Sequence, residues 1–203
     1  MLHVDSELHL LVLSEVLGRP LRDALLEGDT ATCSRVGAAL ATWHSAWYGV
    51  APLRLQPHTN TRELELLRSR AATASPPVAG AVSEAMPRLA GEWTCGTVVH
   101  RDLYEEQVLV GEHVGLIDVD DAALGPPELD VGNLLAHVDL LELRRRRDLT
   151  REKRALVQGY AEMAWTLDEA LLDRCERLTL LRLACLNDDL ELAARATTED
   201  VLA

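Results

Sequence analysis

The sequence predicts a single domain that is mostly α-helical with a small β insertion, an α+β fold. Aromatic residues make up only 3% of the 203 residues and Phe is absent, so the core has to be built from Leu, Val and Ala, a composition that favours helices. Apolar residues recur at helical spacing along most of the chain, whereas short β-prone runs are confined to residues 97–118. Neither an internal repeat nor a low-complexity linker divides the sequence, which predicts one domain.

The first half of the chain contains one apolar run followed by three helical segments. Residues 7–15 are mostly apolar and precede a Gly-Arg-Pro sequence, which is typical of a buried strand that ends in a turn. Between Thr30 and Tyr48 apolar residues recur at steps of three and four, so a helix is predicted there. Two more helices are predicted at residues 59–74 and 78–90, because the Ser-Pro-Pro sequence between them prevents one helix from continuing into the other.

The second half begins with strands and ends with helices. Three short β-prone runs, at residues 97–100, 107–110 and 114–118, predict two or three small strands in one inserted sheet. Helical periodicity resumes after a Gly-Pro-Pro sequence and continues to the end of the chain. Helices are predicted there at residues 129–142, 150–165 and 168–196.

Composition narrows the partners and the compartment. The chain has 33 acidic and 20 basic residues, and the net charge of −13 opposes a nucleic-acid-binding surface while favouring a cationic or metal-bound ligand. No apolar run approaches the ~18 residues of a membrane span, and the start of the chain lacks the cationic region of a signal peptide. The four cysteines form no C-x-x-C pair, which is typical of reduced core residues. We therefore expect a cytoplasmic protein with no nucleic-acid or membrane partner.

An acidic segment from Asp102 to Asp130 is the candidate for chemistry. It carries nine acidic residues and neither Lys nor Arg. Short strands and tight turns crowd these carboxylates, and a divalent cation is the natural partner to offset their repulsion. Carboxylates with a carboxamide nearby supply the oxygen ligands that Mg²⁺ prefers, while phosphate oxygens and water complete its coordination.

Five short motifs follow one another through this segment. In chain order they are His100-Arg101-Asp102, Gln107, Ile117-Asp118, Gly125-Pro126-Pro127 and Asp130. Their order and spacing resemble the pattern H-x-D-x-x-x-x-N, I-D, G-x-P-x-x-D of the aminoglycoside phosphotransferase and choline kinase family, whose catalytic lobe is similar to that of protein kinases. The resemblance extends upstream, because residues 11–19 resemble the family's hinge strand and residues 39–44 resemble its helix ending in L-A-x-x-H.

The resemblance implies a role for each matching residue. Asp102 would be the catalytic carboxylate that orients and deprotonates the substrate hydroxyl. Asp118 would bind the Mg²⁺ that bridges the ATP phosphates, and Gln107 stands where the family usually has Asn, the second metal ligand. Asp120 would add a further carboxylate for the metal, and Glu15, in the hinge-like segment, would contact the nucleotide.

Three other residues are expected to support the site without touching substrate. Asp130 would brace the catalytic loop through hydrogen bonds to its backbone, and His100 would be a packed, hydrogen-bonded loop residue. His44, near the predicted end of a helix, is expected to be solvated or to interact with the helix dipole.

The resemblance implies the C-terminal lobe of a kinase-like fold, with the N-terminal ATP-binding lobe missing. That lobe carries a glycine-rich hairpin over the phosphates and a strand Lys that pairs with them. This sequence has no G-x-G-x-x-G, and its only Lys, Lys153, follows the catalytic motifs. On this basis the single domain, 1–203, divides into a hinge-like strand, a helical region, the catalytic loop with metal-binding strands, and a helical substrate-side subdomain: residues 1–17, 18–95, 96–121 and 122–203.

The function implied is ATP- and Mg²⁺-dependent transfer of a phosphoryl group to a hydroxyl of a small molecule, by an N-terminally truncated form of such an enzyme. The acidic loop favours a cationic acceptor such as an aminoglycoside or a choline-like alcohol, with sugars and amino alcohols also open. Two alternatives remain: a pseudokinase-like binding module without turnover, favoured by Gln107 and the absent lobe, and a metal-dependent hydrolase built on Asp102 and Asp118. The oligomeric state has no signature in the sequence.

Overall fold

Helices form most of the structure. The computed structural model describes residues 3–5, 10–12, 15–50, 55–163 and 166–198. The helices in this part of the chain are α1 (Leu21–Glu27), α2 (Thr30–Trp47), α3 (Asn60–Ala71), α4 (Pro76–Leu89), α5 (Pro127–Arg145), α6 (Thr150–Ala161), α7 (Glu169–Asn187) and α8 (Leu190–Thr197). None of these helices is both long enough and apolar enough to cross a membrane.

The strands are short and form three small antiparallel sheets within the described ranges. They are β1 (His3–Asp5), β2 (Leu10–Val12), β3 (Arg19–Pro20), β4 (Thr97–Val99), β5 (Val108–Val110), β6 (Val114–Leu116) and β7 (Ala123–Gly125). β1 pairs with β2, β5 lies between β3 and β6, and β4 pairs with β7. This mostly helical α+β architecture confirms the predicted fold class.

The structure adds one helix and corrects the bounds of another. Helix α1 was not expected from the sequence, because its seven residues are too few to establish a helical period. It ends at Gly28, whose φ of +79° is the left-handed conformation that glycine adopts readily. The helix predicted over residues 168–196 is broken at Asp188, which has a φ of +52° and ends α7. Asp189 then caps α8 by accepting hydrogen bonds from the backbone N–H groups of Glu191 and Leu192.

The strand predictions need two corrections as well. The strand predicted over residues 7–15 is described only at Leu10–Val12 and Glu15, and the strand there pairs with a second one, β1; residues 6–9 and 13–14 lie outside the described residues. The single sheet predicted over 97–118 is in fact two. β4 pairs with β7, which follows the predicted metal ligands and lies beyond the predicted insertion, while β5 pairs both with β6 and with the distant β3.

Helix α5 lies between the two main parts of the core. On one side it packs with α1, α2 and α6, and on the other with α3, α4, α7 and α8. The closest approach of α2 and α6 is made by two glycines: a Cβ atom on Gly37 would lie 2.0 Å from the carbonyl oxygen of Leu156, and one on Gly159 would lie 2.0 Å from that of Ser34. This contact holds the end of α6, with the buried Tyr160, against α2.

We expect Gly37→Ala to lower the free energy of unfolding by about 2 kcal/mol, because the added methyl group forces the two packed helix backbones apart. Urea denaturation measures the change. Gly80→Ala is the matched control: Gly80 lies inside α4 with nothing within 4 Å of its Cβ position, so alanine's better helix propensity should stabilise by up to about 1 kcal/mol. Equal effects of the two substitutions would contradict the tight crossing.

Candidate active site

The loop between β4 and β5 is held by the carboxylate of Asp130, in the first turn of α5. Asp130 Oδ2 accepts a hydrogen bond from the backbone N–H of His100 at 2.7 Å, and Oδ1 accepts one from the N–H of Arg101 at 2.8 Å. Arg101 has a φ of +73°, so the backbone is left-handed at the point where both amides point to the same carboxylate. The predicted bracing role of Asp130 is confirmed.

His44 joins this carboxylate to two helices, and its predicted solvation is wrong. The ring is fully buried; Nε2 lies 3.1 Å from Asp130 Oδ2 and Nδ1 lies 2.9 Å from the Tyr160 hydroxyl. Burial, with the charges of Glu128 and Asp130, raises the pKa of Tyr160, so its hydroxyl remains a donor. When the Tyr160 hydroxyl donates to Nδ1, the ring hydrogen is on Nε2, where the Asp130 carboxylate accepts it.

Asp102, the predicted catalytic carboxylate, has a side chain 48% exposed, and a cation from α7 lies next to it. Arg182 Nη2 is 3.8 Å from Asp102 Oδ1 and donates a hydrogen bond to Asn133 Oδ1. Asn133 Nδ2 in turn donates to the carbonyl oxygen of Leu103 at 2.8 Å. Asp102 thus faces solvent, and Asn133 holds the loop at the next residue, Leu103. The guanidinium group of Arg182, which Asn133 also contacts, lies beside Asp102.

Gln107 and Asp118, the predicted metal ligands, are in contact. Gln107 Nε2 lies 3.1 Å from Asp118 Oδ2, and the Gln107 backbone carbonyl accepts from the N–H of Ile117 at 3.1 Å. Gln107 is 3% exposed, and its Oε1 has no hydrogen-bond partner in the described part of the chain. Rotation of the Gln107 amide group by 180° would bring the unpaired Oε1, instead of Nε2, to face Asp118. The amide oxygen and the Asp118 carboxylate would then be two oxygen ligands that fit a divalent cation.

Asp120, predicted to bind the metal, and Glu15, predicted to contact the nucleotide, do not contact Gln107 or Asp118 in the described part of the chain. Asp120 is exposed, and no described side chain links it to Asp118 or Gln107. Glu15 is exposed too, in a segment that passes the β5–β6 hairpin, where Val16 lies against Gly115. Among the described residues no three His, Cys, Asp or Glu side chains are arranged to share a metal ion, so ligands beyond the protein would have to complete any coordination.

Two histidines flank the loop. His100 is buried, and its Nε2 donates to the carbonyl oxygen of Ile117 at 2.8 Å, which confirms its prediction as a packed loop residue. His137, on α5, stacks on Tyr104 with ring centroids 5.2 Å apart. Burial and the nearby charges of Arg182 and Arg144 lower the pKa of His137 to about 3, so this imidazole is neutral.

The only lysine lies in a different cluster, where α5, α6, α7 and α8 meet. Lys153 Nζ is 2.6 Å from Asp139 Oδ1 and 3.6 Å from Glu176 Oε1, and Arg195 Nη1 lies 3.5 Å from the same Asp139 oxygen. Asp139 and Glu176 are almost fully buried. Burial raises the pKa of Glu176 to about 8, so the cluster has one more proton than four isolated groups would hold at neutral pH.

Sequence reasoning missed Arg182, Asn133 and Tyr160. Arg182 and Asn133 reach the loop, and Tyr160 reaches His44, each from a helix 30 or more residues away, so no local spacing revealed them. For His44 a signal did exist, because the predicted L-A-x-x-H pattern placed it at the end of an amphipathic helix. The depth of its burial depends on the partners that α5 and α6 provide.

Comparison with known proteins decides the family. A model of the phosphotransferase enzyme family, APH, matches residues 2–177. The chain belongs to this phosphotransferase family. No curated protein sequence matched it.

Solved structures of small-molecule kinases share the fold of this phosphotransferase-family chain. Amicoumacin kinase hAmiN, in complex with AMP-PNP, Ca²⁺ and Ami, matches with a TM-score of 0.67 and 19% identity over 90% of this chain and 61% of that one. A choline/ethanolamine kinase family protein from Mesorhizobium loti matches with a TM-score of 0.64 and 16% identity over 98% and 68%. Glucosamine kinase with glucosamine, ADP and inorganic phosphate matches with a TM-score of 0.61 and 15% identity over 91% and 57%.

At these identities the likeness establishes a kinase-like phosphotransferase fold. The chain spans 52–59% of the length of the three glucosamine kinase structures.

We expect Asp130→Asn to lower the free energy of unfolding of this phosphotransferase-family chain by at least about 2 kcal/mol, because an amide group then faces one of the three donors that the carboxylate accepts. Tyr160→Phe removes only the hydroxyl that contacts His44 and should cost about 1 kcal/mol. Urea denaturation measures both. A Tyr160→Phe effect as large as that of Asp130→Asn would show that Asp130 is not the central acceptor.

We expect Glu176→Gln to flatten the dependence of stability on pH. Its pKa is raised in the folded protein, so between about pH 4.5 and 8 the folded state holds a proton that the unfolded chain has released. Stability therefore falls by up to about 1.4 kcal/mol per pH unit as the pH rises through this window. The variant should lack this slope and exceed the wild type in stability above pH 8 in denaturation series. Glu169→Gln, an exposed site on the same helix, should keep the wild-type slope.

Proposed function

We propose that this chain is the catalytic lobe of an ATP-dependent phosphotransferase that acts on a hydroxyl group of a small molecule. One observation carries the proposal: the loop anchored by Asp130 presents the half-exposed Asp102 near one end and Gln107 at the other, where Gln107 contacts Asp118 on the segment after β6. A base for a hydroxyl and, at the other end of the same loop, a carboxamide and a carboxylate for a metal are what phosphoryl transfer to an alcohol requires.

In the proposed reaction Asp102 accepts the proton of the acceptor hydroxyl as that oxygen attacks the γ-phosphorus. Asp118 and the Gln107 carboxamide would hold Mg²⁺, which neutralises phosphate charge when bound. Asp130 keeps Asp102 and Gln107 in fixed relation through the loop backbone. Among the structural neighbours, hAmiN was solved with AMP-PNP and Ca²⁺, and glucosamine kinase with ADP, which supports a nucleotide and a divalent metal here.

Lys153 does not serve the phosphates in this proposal, because it is committed to Asp139 and Glu176. Phosphotransferases of this fold use a lysine and a glycine-rich hairpin over the phosphates. We therefore include in the proposal that these parts come from polypeptide outside the 203 residues, as in an N-terminally truncated form. In-frame coding sequence for such a hairpin upstream of Met1 is the expected finding.

A second candidate is a pseudokinase-like binding module without turnover. It is favoured by the hydrogen bond from Gln107 Nε2 to Asp118, which satisfies the Asp118 carboxylate without a metal. The two candidates differ in whether Asp118 binds nucleotide through a cation.

We expect millimolar ATP with Mg²⁺ to raise the melting temperature by about 4 °C, as binding near ten times Kd predicts for a chain of this size. Asp118→Asn should abolish the shift, since it removes the charge that holds the cation. Glu112→Gln, an exposed carboxylate on the neighbouring hairpin, should retain it.

Turnover is tested with Asp102→Asn in a polypeptide that includes the upstream segment. This variant should bind ATP as the wild type does but transfer phosphate at least about 10²-fold more slowly. A wild type that binds ATP with Mg²⁺ and never turns over any acceptor would favour the binding module, and no shift in any variant would refute nucleotide binding.

A further inference from the structure

The surface beside Asp102, on the α5–α7 side of the loop, differs in charge from the rest of the acidic segment. We call it the acceptor wall; its members are Asp102, Tyr104, His137, Arg144 and Arg182. Two of its five residues are arginines, although the loop from 102 to 130 contains none. The arginines come from the helices packed against the loop.

Arg182 is positioned before any ligand arrives. Asn133 Oδ1 accepts from Arg182 Nη2 and from the Thr179 hydroxyl at 3.1 Å, while its amide group is tied to the loop. The contact with Asp102 also uses Nη2. No side chain in the described ranges bonds to Nη1 or Nε of Arg182, which leaves one edge of the guanidinium for a bidentate partner.

The acids around Arg182 are already engaged. Glu63, whose pKa the Arg182 charge helps to lower, is buried and bonded to His58 at 2.7 Å. Asp102 is the proposed base. Burial and the charge of Glu106 raise the pKa of Glu105, the acid near Arg144, so its anionic form is disfavoured there. Arg182 and Arg144 could therefore bind one further anion at the wall.

The pKa of His137 is a second indication of positive charge at the wall. Besides its burial, both Arg182 and Arg144 act to keep the ring uncharged. Arg144 is exposed and donates to Asn187 Oδ1 at 2.7 Å, one helix turn beyond Arg182 on α7. The charges of Arg182 and Arg144 act on His137, whereas burial and the negative charges of Asp102 and Asp118 raise the pKa of the stacked Tyr104. The part of the wall that attracts an oxyanion is therefore the part lined by the two arginines.

We propose that the acceptor alcohol carries a carboxylate or phosphate-ester group that binds Arg182, with Arg144 adding to the attraction; this rests on the proposed function. Arg182 and Asp102 are 3.8 Å apart, so the reacting hydroxyl and the anion lie within a few bonds of each other, as in a hydroxy acid or sugar acid. In the transfer, the hydroxyl oxygen bonds to the γ-phosphorus, the bond from that phosphorus to the β–γ bridging oxygen breaks, ADP leaves, and the hydroxyl proton passes to Asp102.

The first test needs no turnover. Sodium sulfate is titrated against sodium chloride at constant ionic strength, and the ring signals of His137, assigned with His137→Asn, are followed by NMR. We expect saturation in the millimolar range, at least tenfold weaker in Arg182→Gln and intermediate in Arg182→Lys. Arg177→Gln, on the same helix and paired with Asp173, should match the wild type. A non-saturating change, or equal affinity in all variants, would overturn the proposal even if ATP binding is intact.

The second test separates acceptor from nucleotide as the source of the anion. D-Glucuronate, D-glucose and D-glucosamine share one ring and differ in charge. We expect only glucuronate to displace sulfate from wild type, and to do so equally in Asp118→Asn. Displacement by ATP with Mg²⁺ but not by glucuronate would assign Arg182 to the transferred phosphoryl group and overturn the acceptor assignment. Displacement by glucosamine would restore a cationic acceptor.

Discussion

The carboxylate of Asp130 is the constraint on which the rest of the site depends. It is buried in the first turn of α5, where the helix dipole favours a negative charge, and it accepts from two loop amides and from His44. Through His44 it also reaches Tyr160 at the end of α6. Helices α2, α5 and α6 and the loop are thus connected through one charged group. A shift of α2 or α6 would therefore move the hydrogen bonds that hold the loop next to Asp102.

Two non-glycine residues near the ends of the loop region store backbone strain. Arg101 has a φ of +73° and Asp118 a φ of +62°, each costing about 1–2 kcal/mol relative to ordinary backbone. Asp130 holds the first through its amide, and Gln107 contacts the side chain of the second. A glycine at position 101 would adopt this left-handed conformation without that cost. The two left-handed residues thus lie at or directly before the predicted site carboxylates Asp118 and Asp102.

The sequence predicted what is local and periodic. Helices α2 to α6 and the strands flanking the loop follow from periods within short spans, whereas the bracing by Asp130 and the pairing of Gln107 with Asp118 were expected from the family resemblance. Seven residues were too few to reveal α1, and β7 was missed because its partner β4 lies more than 20 residues earlier. Arg182 and the burial of His44 are products of helix packing, for which a single sequence carries no spacing rule.

Net charge also misleads when it is read as local charge. The excess of 13 negative charges belongs to the whole surface and acts at long range, where salt screens it within about 10 Å. Basic side chains are unevenly used: Lys153 and Arg195 neutralise the buried Asp139, whereas Arg182 and Arg144 are directed to the acceptor wall. In the proposal, a ligand bound beside Asp102 interacts with the guanidinium groups of those two arginines more strongly than with the net negative charge of the whole surface. In the proposed assignment, an acidic chain binds an acidic acceptor because helix packing places two arginines at the acceptor wall.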